Sequence, residues 1–125
     1  MVPEARDVVD IAQVSKSQLV LDVGSGFGGI TAEALERGTE VVSLDFPMKY
    51  LAYVARLKRT SPVIADVTFI PFKDSAFDRV MSKPIWYSVP GHDDRTRFVL
   101  ETNRVLKNGG LVILSAVWNR LCYYT

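Results

Sequence analysis

The 125-residue chain contains one cysteine, Cys122, and one histidine, His92. A lone cysteine closes no internal disulfide, and nothing around it has the spacing of a metal site. Long hydrophobic runs are missing as well. None approaches the ~20 residues needed to span a bilayer. Neither charge is in excess: 15 lysines and arginines face 14 acids, a formal net charge of +1. That balance supplies no general attraction to nucleic acid. The first ten residues, "MVPEARDVVD", hold acids and no apolar core, so a secretory leader is not expected. Repeats and low-complexity segments are absent too. What remains is a chain 48% hydrophobic, one domain by length, able to bury about two thirds of its unfolded surface. A soluble, cytoplasmic protein is expected.

Apolar segments alternate between two periods. Ala5, Val8, Val9 and Ala12 recur at helical spacing, with Pro3 suited to a first turn. "QLVLDV" (18–23) reads as a buried strand, and "GITAEALER" (29–37) as a helix closed by Gly38. "EVVSLD" (40–45) is a second strand. A helix over about Met48 to Lys58 should bury Leu51, Val54 and Ala55. "PVIAD" (62–66) and "FDRVMS" (77–82) are the third and fourth strands. The last helix lies in "DDRTRFVLETNRVLK", capped by Asp93 or Asp94, with Phe98, Thr102, Val105 and Leu106 on one face. Asn108, Gly109 and Gly110 should stop it before a fifth strand, "LVILSAV" (111–117). Strands that are apolar throughout, alternating with helices, predict an α/β fold: a doubly wound, Rossmann-like parallel sheet with helices on both faces. Ligands of such sheets sit beyond the carboxyl ends of the strands.

The loop after the first strand, "DVGSGFGG", satisfies two patterns at once. Gly24, Gly26 and Gly29 make the dinucleotide fingerprint G-x-G-x-x-G, while Gly24, Gly26 and Gly28 make the tighter G-x-G-x-G. Glycines admit a ligand close to the backbone, and the following helix offers free N–H groups to an anion. Asp22 separates the possibilities. A carboxylate beside the loop repels a pyrophosphate but suits a ligand carrying both an ammonium and a carboxylate, as an amino-acid moiety does. Asp45 ends the second strand 21 residues after Gly24 (45 − 24), close to the spacing of an acid that accepts ribose hydroxyls. A helix N-cap is its alternative role. Asp66 with Val67 could meet an adenine edge, or simply form a turn.

Four pieces in register carry a resemblance: "LDVGSGFG", "LD" at 44–45, "ADVTFIPFKDSAFDRVMS" and "RVLKNGG". Over about residues 18–116 the chain is similar to the class I S-adenosylmethionine-dependent methyltransferases, nearest to their small-molecule and quinone-methylase-like branch. The resemblance implies a single S-adenosylmethionine-binding domain over 1–125, with five strands in the order 3-2-1-4-5. It implies that Asp22, Gly24, Ser25 and Gly26 line the methionine moiety. Asp45 would hold the ribose, with Phe46 beside the adenine. Asp66 and Val67 would bind the adenine edge, and Ser82 would lie near the sulfonium. Asn108 stands where the family's late motif has proline.

The expected activity is methyl transfer to an unidentified, small-molecule acceptor, with no metal. A cofactor-binding but inactive module needing a partner is the alternative, and a nicotinamide-dependent oxidoreductase a distant one. "SKPIWYSVPGHDD" (82–94) should hold the chemistry, with Tyr87, His92 and Asp93 as candidate bases in a loop. Lys49, Arg56, Lys58 and Arg59 read as a solvated helix face rather than an RNA contact. The resemblance also implies a helix and an antiparallel hairpin after strand five. The chain stops at Thr125, nine residues after Ala116, so a minimal or truncated member lacking that hairpin is expected. The edge of strand five and the aromatic tail would then pair with a second copy or another subunit.

Overall fold

The computed structural model describes residues 4–46, 54–57, 60–82, 89 and 91–114. In chain order these form α1 (Ala5–Ile11), β1 (Leu19–Val23), α2 (Gly29–Glu36), β2 (Glu40–Asp45), β3 (Thr60–Ile64), β4 (Phe77–Ser82), α3 (His92–Val105) and β5 (Leu106–Leu114). All five strands run parallel in one sheet of order β3-β2-β1-β4-β5, as expected. The order reverses between β1 and β4, which puts the ends of β1, β2 and β4 around one crevice.

Strand alternation divides the core into two layers. Val20, Val41 and Met81 project to one face, where Val8, Val9 and Ala12 of the α1 segment meet Ile30 and Ala34 of α2. Leu21, Val23, Leu44 and Val80 project to the other, against Phe98 and Val105 of α3. Helices therefore cover both faces, and the central strands β1 and β4 are largely buried, whereas the outer strands β3 and β5 are partly exposed. Among the described residues no helix is long and apolar enough to cross a membrane.

Several boundaries differ from the sequence expectation. β3 begins and ends two residues early, at Thr60 and Ile64; the Ala65 N–H still donates to the Asp45 carbonyl, and the chain then turns at Asp66, whose carbonyl accepts the Phe69 N–H. α3 begins at His92 with Gly91 at its N-cap, so neither Asp93 nor Asp94 caps it; both lie in its first turn, where the helix dipole favours acids. The helix stops at Val105, and Asn108, Gly109 and Gly110 already belong to β5. Phe77 pairs with Leu106 but Arg79 with Leu111, so β5 carries an irregularity there. A Cβ on Gly110 would lie 2.8 Å from the Asp78 carbonyl oxygen, a contact only glycine avoids. Of the helix expected near 48–58, only residues 54–57 are described: Val54 is buried as expected, whereas Ala55 is exposed. Leu51 falls outside the described residues, as do the end of the expected fifth strand and the aromatic tail.

Candidate cofactor site

The loop from Gly24 to Gly28 resolves the two glycine patterns. Gly24, Gly26 and Gly28 all take left-handed φ angles of 69°, 52° and 87°, whereas Gly29 is the first residue of α2. The tighter G-x-G-x-G is the operative pattern, since side chains rarely tolerate those angles. A Cβ on Gly26 would meet nothing within 4 Å, so space lies open beside the loop. At Gly28 the reason is different: a Cβ would press on Val54 at 3.1 Å.

Backbone bonds tie this loop to the end of β2. The N–H groups of Gly24 and Ser25 both donate to the Leu44 carbonyl, at 2.7 and 3.1 Å. Gly26 N–H donates to Asp45 Oδ2 at 2.7 Å, and Phe46 N–H donates to Asp45 Oδ1 at 2.8 Å. Each carboxylate oxygen keeps capacity for a further donor. Asp45 is half-buried and Phe46 is 69% exposed beside it. Residues 19 apart, Gly26 and Asp45, are thus held in direct contact by the fold.

Asp22 is fully buried in β1, and its Oδ2 accepts from the Thr31 hydroxyl of α2 at 2.6 Å. Ser25 is 7% exposed, and its hydroxyl oxygen has no hydrogen-bond partner among the described residues. A buried hydroxyl in that condition costs free energy unless something else meets it. Ser82 closes β4 and is buried.

On the third strand's side, Asp66 Oδ1 accepts from the Thr68 N–H at 2.8 Å and from its hydroxyl at 2.7 Å. Those two bonds hold the Asp66 carboxyl below its ordinary value. Val67 packs, partly buried, against the second core layer. Asp66 does make a turn, and its other oxygen stays free for a further donor.

The segment after Asp66 is anchored by two residues that the sequence reading did not single out. Arg104 of α3 donates through Nη2 to the Ile70 carbonyl, through Nη1 to the Phe72 carbonyl and to Asp74, and through Nε to Glu101. Glu101 in turn accepts the Ile70 N–H at 2.8 Å. The Arg104 guanidinium and, less strongly, the Ile70 N–H hold the Glu101 carboxyl below its ordinary value, while partial burial opposes them. The sign follows: a depressed carboxyl adds stability above its unfolded value, 4.5, and that share vanishes as pH falls through the folded value. The thermal midpoint of the wild type should therefore drop more steeply below pH 4.5 than that of Glu101→Gln. Parallel melting curves of the two proteins from pH 7 to 3 would refute the assignment.

The candidate bases fare differently. His92 and Asp93 lie in the first turn of α3, exposed, rather than in a loop. Tyr87 lies outside the described residues, as do Lys49, Lys58 and Arg59, while Arg56 is exposed. Among the described residues no group of histidine, cysteine and acid side chains could hold a metal.

A family model described as a methyltransferase domain matches residues 21–114. The chain belongs to the class I S-adenosylmethionine-dependent methyltransferase family. An uncharacterized methyltransferase of Mycobacterium bovis is 34% identical over 119 residues, covering 94% of this chain and 45% of that protein. A demethylmenaquinone methyltransferase of Renibacterium salmoninarum is 32% identical over 111 residues, covering 88% of this chain and 46% of that one. The chain therefore spans about half the length of these relatives. In fold it superimposes with a TM-score of 0.77 on a TehB-like S-adenosylmethionine-dependent methyltransferase from Corynebacterium glutamicum. That likeness covers 88% of this chain and 60% of that one, at 20% identity. The family's cofactor is S-adenosylmethionine, and the site fits it. Open space beside Gly26, the unsatisfied Ser25 hydroxyl and two acids at adjacent strand ends match a ligand with an amino-acid end and a ribose.

Proposed function

We propose that this domain, over residues 1–125, transfers the methyl group of S-adenosylmethionine to a small-molecule acceptor. The bond from Gly26 N–H to Asp45 carries the reading, because it joins the glycine loop to the acid of the second strand in one crevice. In this reading Asp22, Gly24, Ser25 and Gly26 line the methionine end, with the first N–H groups of α2 turned to its carboxylate. Asp45 accepts the ribose hydroxyls, and Phe46 offers an apolar surface to the adenine. Asp66 and Val67 take the adenine edge, and Ser82 lies near the sulfonium. A nicotinamide dinucleotide would need its pyrophosphate beside the buried Asp22 carboxylate, which opposes it.

The sulfonium supplies an activated methyl group whose transfer is a displacement on carbon. The protein's contribution to such a step is alignment and exclusion of water. Fixing loop, ribose acid and adenine segment on three neighbouring strands provides the alignment. A general base is required only where the acceptor must lose a proton.

Calorimetric titration with S-adenosylmethionine, S-adenosylhomocysteine and NAD tests the cofactor, and turnover on a panel of acceptors tests the activity. Binding of NAD in preference to both adenosyl ligands would overturn the reading. Cofactor binding without turnover on any acceptor would favour a module that works with a partner. We propose further that the β5 edge pairs with a second copy in a cytoplasmic dimer. Among the described residues β5 is a border strand whose Leu111 is exposed, although Lys107 blunts its start. A monomer at micromolar concentration by light scattering would remove the dimer.

A further inference from the structure

A line of hydroxyls crosses the otherwise apolar layer beneath the cofactor loop. Thr31 Oγ1 lies 2.6 Å from Asp22 Oδ2 and 2.7 Å from Ser43 Oγ, and Ser43 Oγ lies 2.8 Å from Thr60 Oγ1. Asp22, Thr31 and Ser43 are fully buried, on β1, α2 and β2, while Thr60 opens the border strand β3. Asp22 and Ser43 are partners in the β1–β2 register, so both face α2. The Thr31 hydroxyl donates to Asp22 Oδ2, and each hydroxyl has one proton to give. The direction is thereby set: Thr60 donates to Ser43, Ser43 to Thr31 and Thr31 to Asp22. Bonds aligned in one sense strengthen one another.

Packing alone does not account for these residues. Valine has nearly the volume of threonine and would extend the surrounding valine and isoleucine layer without burying a hydroxyl. A threonine in a helix can also bond its own preceding turn, yet here the Thr31 hydroxyl turns to the sheet. Its effect falls on Asp22, since the terminal torsion of an aspartate is intrinsically broad.

We propose that Thr31, backed by Ser43 and Thr60, is a positioning residue that fixes the Asp22 carboxylate for the ammonium group of the cofactor's methionine end. The inference rests on the cofactor reading above. It predicts a defect confined to the amino-acid half of the ligand.

The test compares two probes, S-adenosylhomocysteine and 5′-methylthioadenosine, which keeps the nucleoside and lacks the amino-acid end. Thr31→Val should weaken S-adenosylhomocysteine about fivefold to tenfold and leave methylthioadenosine within about twofold. Thr31→Ser should restore the loss. Ser43→Ala, one bond further away, should give a smaller loss with the same selectivity, and carries the test if Thr31→Val does not fold. Equal weakening of both probes would mean a structural role only and would overturn the proposal, as would no weakening of either. Wild-type protein that binds neither probe would instead overturn the cofactor reading itself.

Discussion

Replacing Asp45 by alanine should weaken S-adenosylmethionine binding tenfold to more than a hundredfold. The carboxylate stands to accept two ribose hydroxyls, and loss of hydrogen bonds to a charged acceptor costs about 1.5–3 kcal/mol. A second consequence adds to the first. Gly26 N–H donates to Asp45 Oδ2 at 2.7 Å, so the alanine also frees the middle of the glycine loop. Asp45→Asn separates the two effects. Its amide oxygen can still accept from Gly26, so the loop is retained while one ribose acceptor becomes a donor. Its loss should fall below that of the alanine variant. Calorimetry on both proteins, with circular dichroism to confirm folding, measures the difference. Binding by Asp45→Ala within about twofold of wild type would remove Asp45 from the ribose.

Arg104→Ala should carry the larger cost in stability. The guanidinium uses its donors on the Ile70 and Phe72 carbonyls and on the Glu101 and Asp74 carboxylates. Removing it takes the guanidinium donor from the Phe72 carbonyl, and leaves the Ile70 carbonyl with the Phe72 N–H alone and the partly buried Glu101 with the Ile70 N–H alone. Hydrogen bonds to charged groups are worth about 1.5–3 kcal/mol, and the exposed Asp74 pair adds little. A total near 2 kcal/mol should lower the melting temperature by roughly 5–10 °C for a domain of this size. Because Arg104 anchors the segment that follows Asp66 and Val67, adenosine-containing ligands should weaken as well. Arg104→Lys should recover little, since one ammonium cannot reproduce a planar fork. An unchanged melting temperature for Arg104→Ala would show that the residue is a solvated surface charge.

Neither Glu101 nor Arg104 announced itself in "ETNRVLK", where they read as an ordinary i, i+3 pair on a polar helix face. Their partners, at Ile70, Phe72 and Asp74, are 30 or more residues away, and local pattern has no access to such pairings. The same holds for Thr31, Ser43 and Thr60. A serine within "EVVSLD" breaks an apolar run, which was the one visible signal, but it gives no direction in space. By contrast, Asp22, Asp45 and Ser82 sit near strand ends, and a strand end is a local property of an apolar run followed by a turn.

The sequence by itself determined the α/β class, the alternation of elements, the glycine loop and the acids at the strand ends. These follow from apolar period and from glycine's unique backbone range, both of which act between near neighbours. The family resemblance carried the strand order, which the fold bears out. Only the tertiary structure decided which glycine pattern operates, because left-handed φ angles at Gly24, Gly26 and Gly28 are set where the loop meets β2. It also decided where β3 and β5 begin, where α3 is capped, and which side chains support the site. Those features depend on register and contact across the sheet, and register is fixed only when distant segments bury their faces together.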